Sequence, residues 1–241
     1  MITNLQSGTN VHEIADGIYR INTPVELPDG SAFNFNQYLL LDDEPLLYHT
    51  GPRALFPVVS QAIEAVLPLQ RLQHIGFSHT EADECGALND LLERAPHAAP
   101  LTGRIAAMVN TADQALRPPR VLADAETLRT GRRLLQWFDT PHLPHGWDAG
   151  LMMDLSAATL LCGDLFTQGG AGTQPLTDSD ILGPSEAFRQ QMDYFAHAPD
   201  TDATLLRLAG LAPTTLACMH GSAWHGDGAA LLRELAQVLS A

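Results

Sequence analysis

Four ligand-type side chains stand within six residues at His79-Thr80-Glu81-Ala82-Asp83-Glu84. Imidazole and carboxylate are the borderline and hard donors that hold divalent and trivalent cations. Residues 79, 81 and 83 of an extended loop need not all aim at one ion; they can serve two neighbouring ions. Three further groups of the same chemistry follow: His142-Leu143-Pro144-His145-Gly146-Trp147-Asp148, Asp164 between Gly163 and Leu165, and His220-Gly221-Ser222-Ala223-Trp224-His225. A carboxylate such as Asp164 can bridge two cations, one oxygen to each, and two metals ~3.5–4 Å apart form an established catalytic arrangement. Taken alone, residues 79–84 also fit a solvated turn capping the next helix. The three later groups, each at the end of an expected strand, weigh against that. His12, His74, His97 and His197 read as structural or surface residues, and so does His49, although it ends a strand near the suspected site.

The elements that must position these groups are legible from periodicity. Val11–Ile14 and Ile18–Ile21 read as strands flanking the hairpin signal Asp16-Gly17. Asn36–Leu41 and Pro45–His49 read as a second pair. Pro52 opens a helical pattern, with Leu55, Val58, Val59, Ala62, Ile63 and Val66 on one face. Gln73–Ser78 reads as a buried strand, with helical segments over Gly86–Arg94 and Gly103–Asn110. Strands follow at Arg120–Leu122, Glu126–Leu128 and Leu134–Phe138, with Thr130-Gly131 as a turn, then at Leu151–Leu155 and Thr159–Cys162. Helices over Glu186–Ala196 and Thr204–Leu211, a strand at Thr214–Cys218 and a helix over Gly228–Leu239 complete the chain. Antiparallel runs followed by a helix and one more strand occur in each half, which favours two mixed sheets covered by helices over an alternating doubly wound sheet.

Composition narrows the function classes. The chain has 241 residues, 45% of them hydrophobic, enough for a sizeable core and read as one domain over 1–241. Thirteen basic against 28 acidic residues give a net charge of −15, which argues against nucleic acid and anionic membranes as partners. No apolar run approaches a membrane span and the N-terminus lacks a signal-peptide pattern. Three dispersed cysteines, Cys85, Cys162 and Cys218, make no disulfide framework, so a cytoplasmic protein is expected.

The motif set resembles the metallo-β-lactamase superfamily over roughly residues 10–240. Its hydrolases usually carry H-x-H-x-D-H, whereas His79-x-Glu81-x-Asp83-Glu84 is closer to the H-x-E-x-D-H of the flavodiiron branch. Asn36-Gln37-Tyr38-Leu39-Leu40 is similar to that branch's early N-x-Y-L strand. Thr140-Pro141 with His145-Gly146-Trp147-Asp148 is similar to its T-P-x-x-H-W-P-D segment. Gly163-Asp164-Leu165-Phe166 resembles its bridging-aspartate strand end, and Met219-His220-Gly221 its final S-H-G. The resemblance implies an α/β (α+β) fold, the four-layer αβ/βα sandwich. It implies two metal ions, one held by His79, Glu81 and His145 and one by Asp83 and His220, with Asp164 between them. His145 is preferred over His142 because Trp147 and Asp148 follow it. Glu84 departs from the motif, which ends in His; it either ligates, points away and leaves a water, or weakens the second metal.

Flavodiiron enzymes continue into a flavodoxin-like domain that binds FMN. Nothing after His220 offers a phosphate-binding loop, so no FMN is expected here and electrons would come from an external donor. Glu81, Asp83 and Asp164 bring three negative charges, one more than the all-histidine version of the first motif. That favours iron or manganese over zinc, although zinc generally binds more tightly than ferrous iron. Two reactions remain open. One is a diiron oxidoreductase or sensor that binds or reduces O2 or NO; the other is a dinuclear zinc hydrolase acting on an ester, lactone, thioester or phosphodiester. A decayed, non-catalytic site is a third reading, hinted at only by Glu84. Family precedent suggests a homodimer. Trp147 and Trp224 are candidate pocket walls. Asp148, His225 and Asp227 are candidate partners of ligand histidines. Residues 168–182 are a candidate lid or interface.

Overall fold

The computed structural model describes residues 1–240; the last residue of the expected domain, Ala241, lies outside them. Strands β1 (Asn10–Ala15) and β2 (Ile18–Glu26) form the expected hairpin around Asp16-Gly17, with Ala15 opposite Ile18. β3 (Ala32–Leu40) and β4 (Leu46–Tyr48) continue the antiparallel run. Helix α1 (Phe56–Glu64) then crosses to β5 (His74–Gly76), which lies parallel to β4. Two short helices, α2 (Ala82–Cys85) and α3 (Leu88–Arg94), lead to β6 (Ala99–Gly103). Helical turns α4 (Arg104–Ala106) and α5 (Ala112–Gln114) lead to β7 (Arg120–Leu122). The first sheet therefore runs β1-β2-β3-β4-β5-β6-β7.

The second sheet is built from β8 (Thr127–Arg129), β9 (Leu134–Asp139), β10 (Gly150–Asp154), β11 (Thr159–Leu161), β12 (Leu176–Thr177), β13 (Thr215–Ala217) and β14 (Ala223–His225). Its order is β12-β14-β13-β11-β10-β9-β8, with parallel pairs at β11/β13 and β12/β14. Helices α6 (Leu182–Met192), α7 (Thr201–Ala209) and α8 (Gly228–Leu239) accompany it.

The strands are apolar on both faces because both faces are covered. In β3 and β4, Tyr38, Leu40, Leu46 and Tyr48 enter the core between the sheets, where they join Trp137, Met152 and Leu161. Leu39 and Leu47, one residue out of phase, pack with Val59, Ile63 and Leu91 of the outer helices. In β10, Leu151 and Met153 face Leu205, Leu208 and Leu232 of α7 and α8. The result is the expected four-layer αβ/βα sandwich of two mixed sheets. Arg133 and Asp154, both buried, pair at 2.5 Å, and Arg133 also donates to the Leu41 and Asp16 carbonyls, tying the edge of the second sheet to the first.

Three strands escape the sequence reading. β6 carries Pro100 and ends at Gly103, which reads as a helix start, and the helical turn does begin at Arg104. β12 and β14 are two and three residues long. β2 and β3 run further than expected, staying paired out to Glu26 and Ala32. This extension brings Phe33, Asn34 and Phe35 to the site.

Candidate metal centre

The four groups of donors come from loops at one end of the two sheets. After β5 the chain leaves through Ser78 and His79, and Glu81 is still extended where α2 begins. Asp83 and Glu84 lie inside the helical turn. The change from extended to helical backbone splits one short motif, sending Glu81 toward His145 and Asp83 toward His220. Nε2 of His145 lies 3.0 Å from Nε2 of His79 and 3.1 Å from Oε1 of Glu81. Oδ2 of Asp83 lies 3.4 Å from Nε2 of His220.

Asp164 stands between the two groups. Its Oδ2 is 3.5 Å from His79 Nε2 and 3.4 Å from His145 Nε2, while its Oδ1 is 3.2 Å from His220 Nε2. Gly163, just before it, adopts φ +52°, in the left-handed region, and a Cβ there would come within 3.0 Å of the Ser78 side chain. Gly221 has φ +88° and leaves no room for a Cβ, which would lie 2.6 Å from Gln168. The sharp backbone at both glycines lets Asp164 and His220 turn inward from neighbouring strand ends. All six expected residues, His79, Glu81, Asp83, His145, Asp164 and His220, are thus brought together, and Glu84 with them. His142 is exposed and stands apart.

Electrostatics follow from this crowding. Glu81 is held below its ordinary range, chiefly by hydrogen bonds from His145 and His79. Burial opposes ionisation of Asp83 and Asp164, yet their contacts with His220 hold both low, Asp83 at about 2. Burial likewise opposes charge on His220, but Asp164 and Asp83 carry its pKa up to about 10. His145 is also raised, the carboxylates of Glu81 and Asp164 outweighing its burial. Glu84 is the exception: burial, followed by Asp164 and Asp83, pushes its carboxyl well up.

Outer partners fix the rings. His79 Nδ1 lies 3.0 Å from Ser78 Oγ, which lies 3.1 Å from His49 Nε2. The Ser78 amide also points at that His49 nitrogen, at 3.4 Å, making it the acceptor. His79 Nδ1–H then donates to Ser78, and the serine hydroxyl donates to His49. Burial pushes His49 down to about 3, so this relay is neutral. Nε2 of His79 is left facing the cluster. His220 Nδ1–H donates to the Asn34 carbonyl at 2.8 Å, which turns its Nε2 inward in the same way. The Gly221 amide donates to Asn34 Oδ1. The Gly221 carbonyl accepts from Arg20 at 2.7 Å and from Asn36 at 2.9 Å. Tyr38 donates to the Cys218 carbonyl at 2.6 Å.

Sequence reasoning flagged Asn36 and Tyr38 by motif but missed Arg20, Asn34 and Ser78, and read His49, though near the site, as structural. Only the residue before His79 carried a local signal. Several proposed neighbours have other tasks. Asp148 accepts from the amide and hydroxyl of Thr80 rather than from a histidine. Asp227 caps α8 and His225 is exposed. Trp147 is exposed, and Trp224 donates to the Ser179 carbonyl, so neither walls the cleft. Of residues 168–182, Gly169 and Gly170 do line it, and the segment is stitched down by Gly170 N–H to Ala32 and by Arg20 to the Gly172 carbonyl.

The centre opens into a cleft of about 610 Å³ walled by Phe33, Phe35, Phe188, Met192 and Tyr194. The donor set suits a pair of cations. Imidazole nitrogens and carboxylate oxygens converge from separate loops, and several of their atoms lack any other partner. Both Glu84 oxygens and Asp164 Oδ1 are buried without a hydrogen bond. Triads His79/His145/Asp164 and Asp83/Glu84/His220 each bring three donor atoms within 4.8 Å of one another.

Fold and site together define a metallo-β-lactamase-like protein with a histidine- and carboxylate-rich centre. A family profile described as "ODP family beta lactamase" matches residues 33–221, and the chain belongs to that family. It is 25% identical over 201 residues to the rubredoxin-oxygen oxidoreductase of Megalodesulfovibrio gigas, covering 80% of this chain and 49% of that protein. It is 24% identical to the anaerobic nitric oxide reductase flavorubredoxin of Pectobacterium atrosepticum, covering 92% of this chain and 46% of that one. The chain therefore spans about half the length of these curated relatives. Among solved structures, rubredoxin oxygen:oxidoreductase from Desulfovibrio gigas superposes with a TM-score of 0.79 at 22% identity, over 95% of this chain and 62% of that one.

Proposed function

We propose that this protein is a non-haem diiron oxidoreductase that reduces O2 or NO with electrons from an external donor. The observation that carries the reading is Asp164, whose two oxygens face two separate groups of donors. His79, Glu81 and His145 would hold one iron, and Asp83 and His220 the other. The redox relatives named above support oxidoreductase chemistry on O2 or NO, and the count of hard anionic donors favours iron. When bound, an iron pair would supply paired one-electron changes for reducing a small diatomic substrate.

The chain's own residues do the rest. The Ser78–His49 relay and the Asn34 carbonyl each engage an Nδ1 atom, so that Nε2 of both rings is aimed at the centre. The phenyl rings of Phe33 and Phe188, stacked with centroids 5.7 Å apart, make the approach apolar, which suits a small uncharged ligand and limits water. The remaining parts of the reading are one metallo-β-lactamase-like domain over residues 1–241, acting as a homodimer and cytoplasmic; light scattering tests the dimer.

The functional test is anaerobic loading with ferrous iron, then exposure to O2 or NO with a reduced donor such as rubredoxin. Two irons per chain, a diferric absorption band and consumption of the gas are expected. Iron-loaded protein that consumes neither gas, alongside zinc-loaded protein that turns over esters or lactones, would replace this reading with hydrolysis.

A further inference from the structure

Glu84 is wholly buried, and neither of its side-chain oxygens has a hydrogen-bond partner. A buried polar group without a partner is rare and points to a missing one. Glu84 contrasts with its neighbours. His79 and His220 each commit one ring nitrogen to an outer acceptor and only the other to the centre. Glu84 has no outer partner at all. Its donor atoms fall in two triads, one with His79 and Glu81 and one with Asp83 and His220.

The balance of donors gives the reason. On the proposed function, on which this inference rests, one metal has three ligands of its own, His79, Glu81 and His145. The other has only Asp83 and His220, and Asp164 is shared. One more donor on the Asp83 side would equalise the two positions. We propose that Glu84 is that donor: a carboxylate ligand of the metal pair, bound to the ion held by Asp83 and His220, at the place where the related motif carries an imidazole. The centre then has three histidines and four carboxylates. Four negative charges balance two divalent cations. Replacing a neutral nitrogen by an anionic oxygen hardens the second position and favours iron or manganese there over zinc.

The test uses the full chain loaded anaerobically with Fe(II) or Mn(II) alone. Its readouts are metal count, binding titration and a crystal structure with anomalous scattering. The wild type is expected to bind two ions per chain, with a Glu84 oxygen at a coordination distance of roughly 2.0–2.2 Å from the second ion. Loss of a partner one shell further out costs about 10–100-fold in metal affinity, so Glu84→Gln should cost at least the upper end of that range at the second ion only. Glu84→His should restore two-ion binding and shift the preference of the second position toward zinc. Both Glu84 oxygens lying beyond about 3 Å from the ion held by Asp83 and His220 would overturn the proposal. So would an unchanged pair of affinities in Glu84→Gln, or a wild type that binds no metal. Should the glutamine variant fail to fold, the metal-loaded wild-type structure decides. An iron-loaded protein with Glu84 bound but inert toward O2 and NO would sink the functional reading and leave this one standing. An active protein with Glu84 turned away would do the reverse.

Discussion

Ser78→Ala isolates the relay behind His79. The substitution keeps the Cβ that packs against Gly163 and removes only the hydroxyl. With the hydroxyl gone, His79 Nδ1–H loses its 3.0 Å acceptor in a buried site, and His49 Nε2 loses its 3.1 Å donor. Outer partners of ligand histidines are worth about 10–100-fold in metal affinity. That converts to roughly 1.4–2.7 kcal/mol at the first metal. The second metal should be almost untouched, because His220 is oriented by the Asn34 carbonyl on another strand. Competition titration with a chromophoric chelator, following the two binding steps separately, measures both. His49→Gln should weaken the first site as well, and adding it to Ser78→Ala should cost less than about 0.5 kcal/mol more, since residues acting in one chain are not additive. An affinity within twofold of wild type in Ser78→Ala, or full additivity of the two variants, would refute the relay.

The same buried imidazole makes a pH prediction. His49 is neutral in the folded protein, its pKa pushed down by burial to about 3, whereas an unfolded chain takes up a proton near the ordinary 6.5. Below that pH the unfolded state binds more protons, so stability falls as pH falls from about 6 toward 4, by roughly 1 kcal/mol per unit from this group. Urea unfolding of chelated wild type and His49→Gln at pH 7, 5 and 4 should show the variant losing that much less per unit; equal slopes would contradict it. Away from the centre, Arg133→Met leaves Asp154 charged and buried without its partner. That should cost about 3–5 kcal/mol and lower Tm by roughly 10 °C for a chain of this size, read by calorimetry. Its metal count should equal that of the wild type.

Local signals were legible where the chain's own pattern decides the structure. The Asp16-Gly17 hairpin and the helix over Gly228–Leu239 sit where period and turn chemistry placed them. The four donor groups were visible because metal chemistry restricts residue type strongly, and strand ends bring such groups to one place. Legibility failed where the deciding contact is distant in sequence. Pro100 and Gly103 argue against a strand, yet β5 and β7 on either side hold β6 in the sheet. Arg20 and Asn34 carry no motif; their roles arise because an extended hairpin reaches across to the Gly221 turn. His49 looked structural because its link to the site runs through a serine that has no chemistry of its own.

The measurement that bears most directly on the paired centre is an anomalous-difference map, collected at the iron edge, from crystals loaded anaerobically with ferrous iron. The account predicts two peaks ~3.5–4 Å apart, one against His79, Glu81 and His145 and one against Asp83 and His220, with one Asp164 oxygen toward each. A single peak, or two peaks that do not share Asp164, would contradict it.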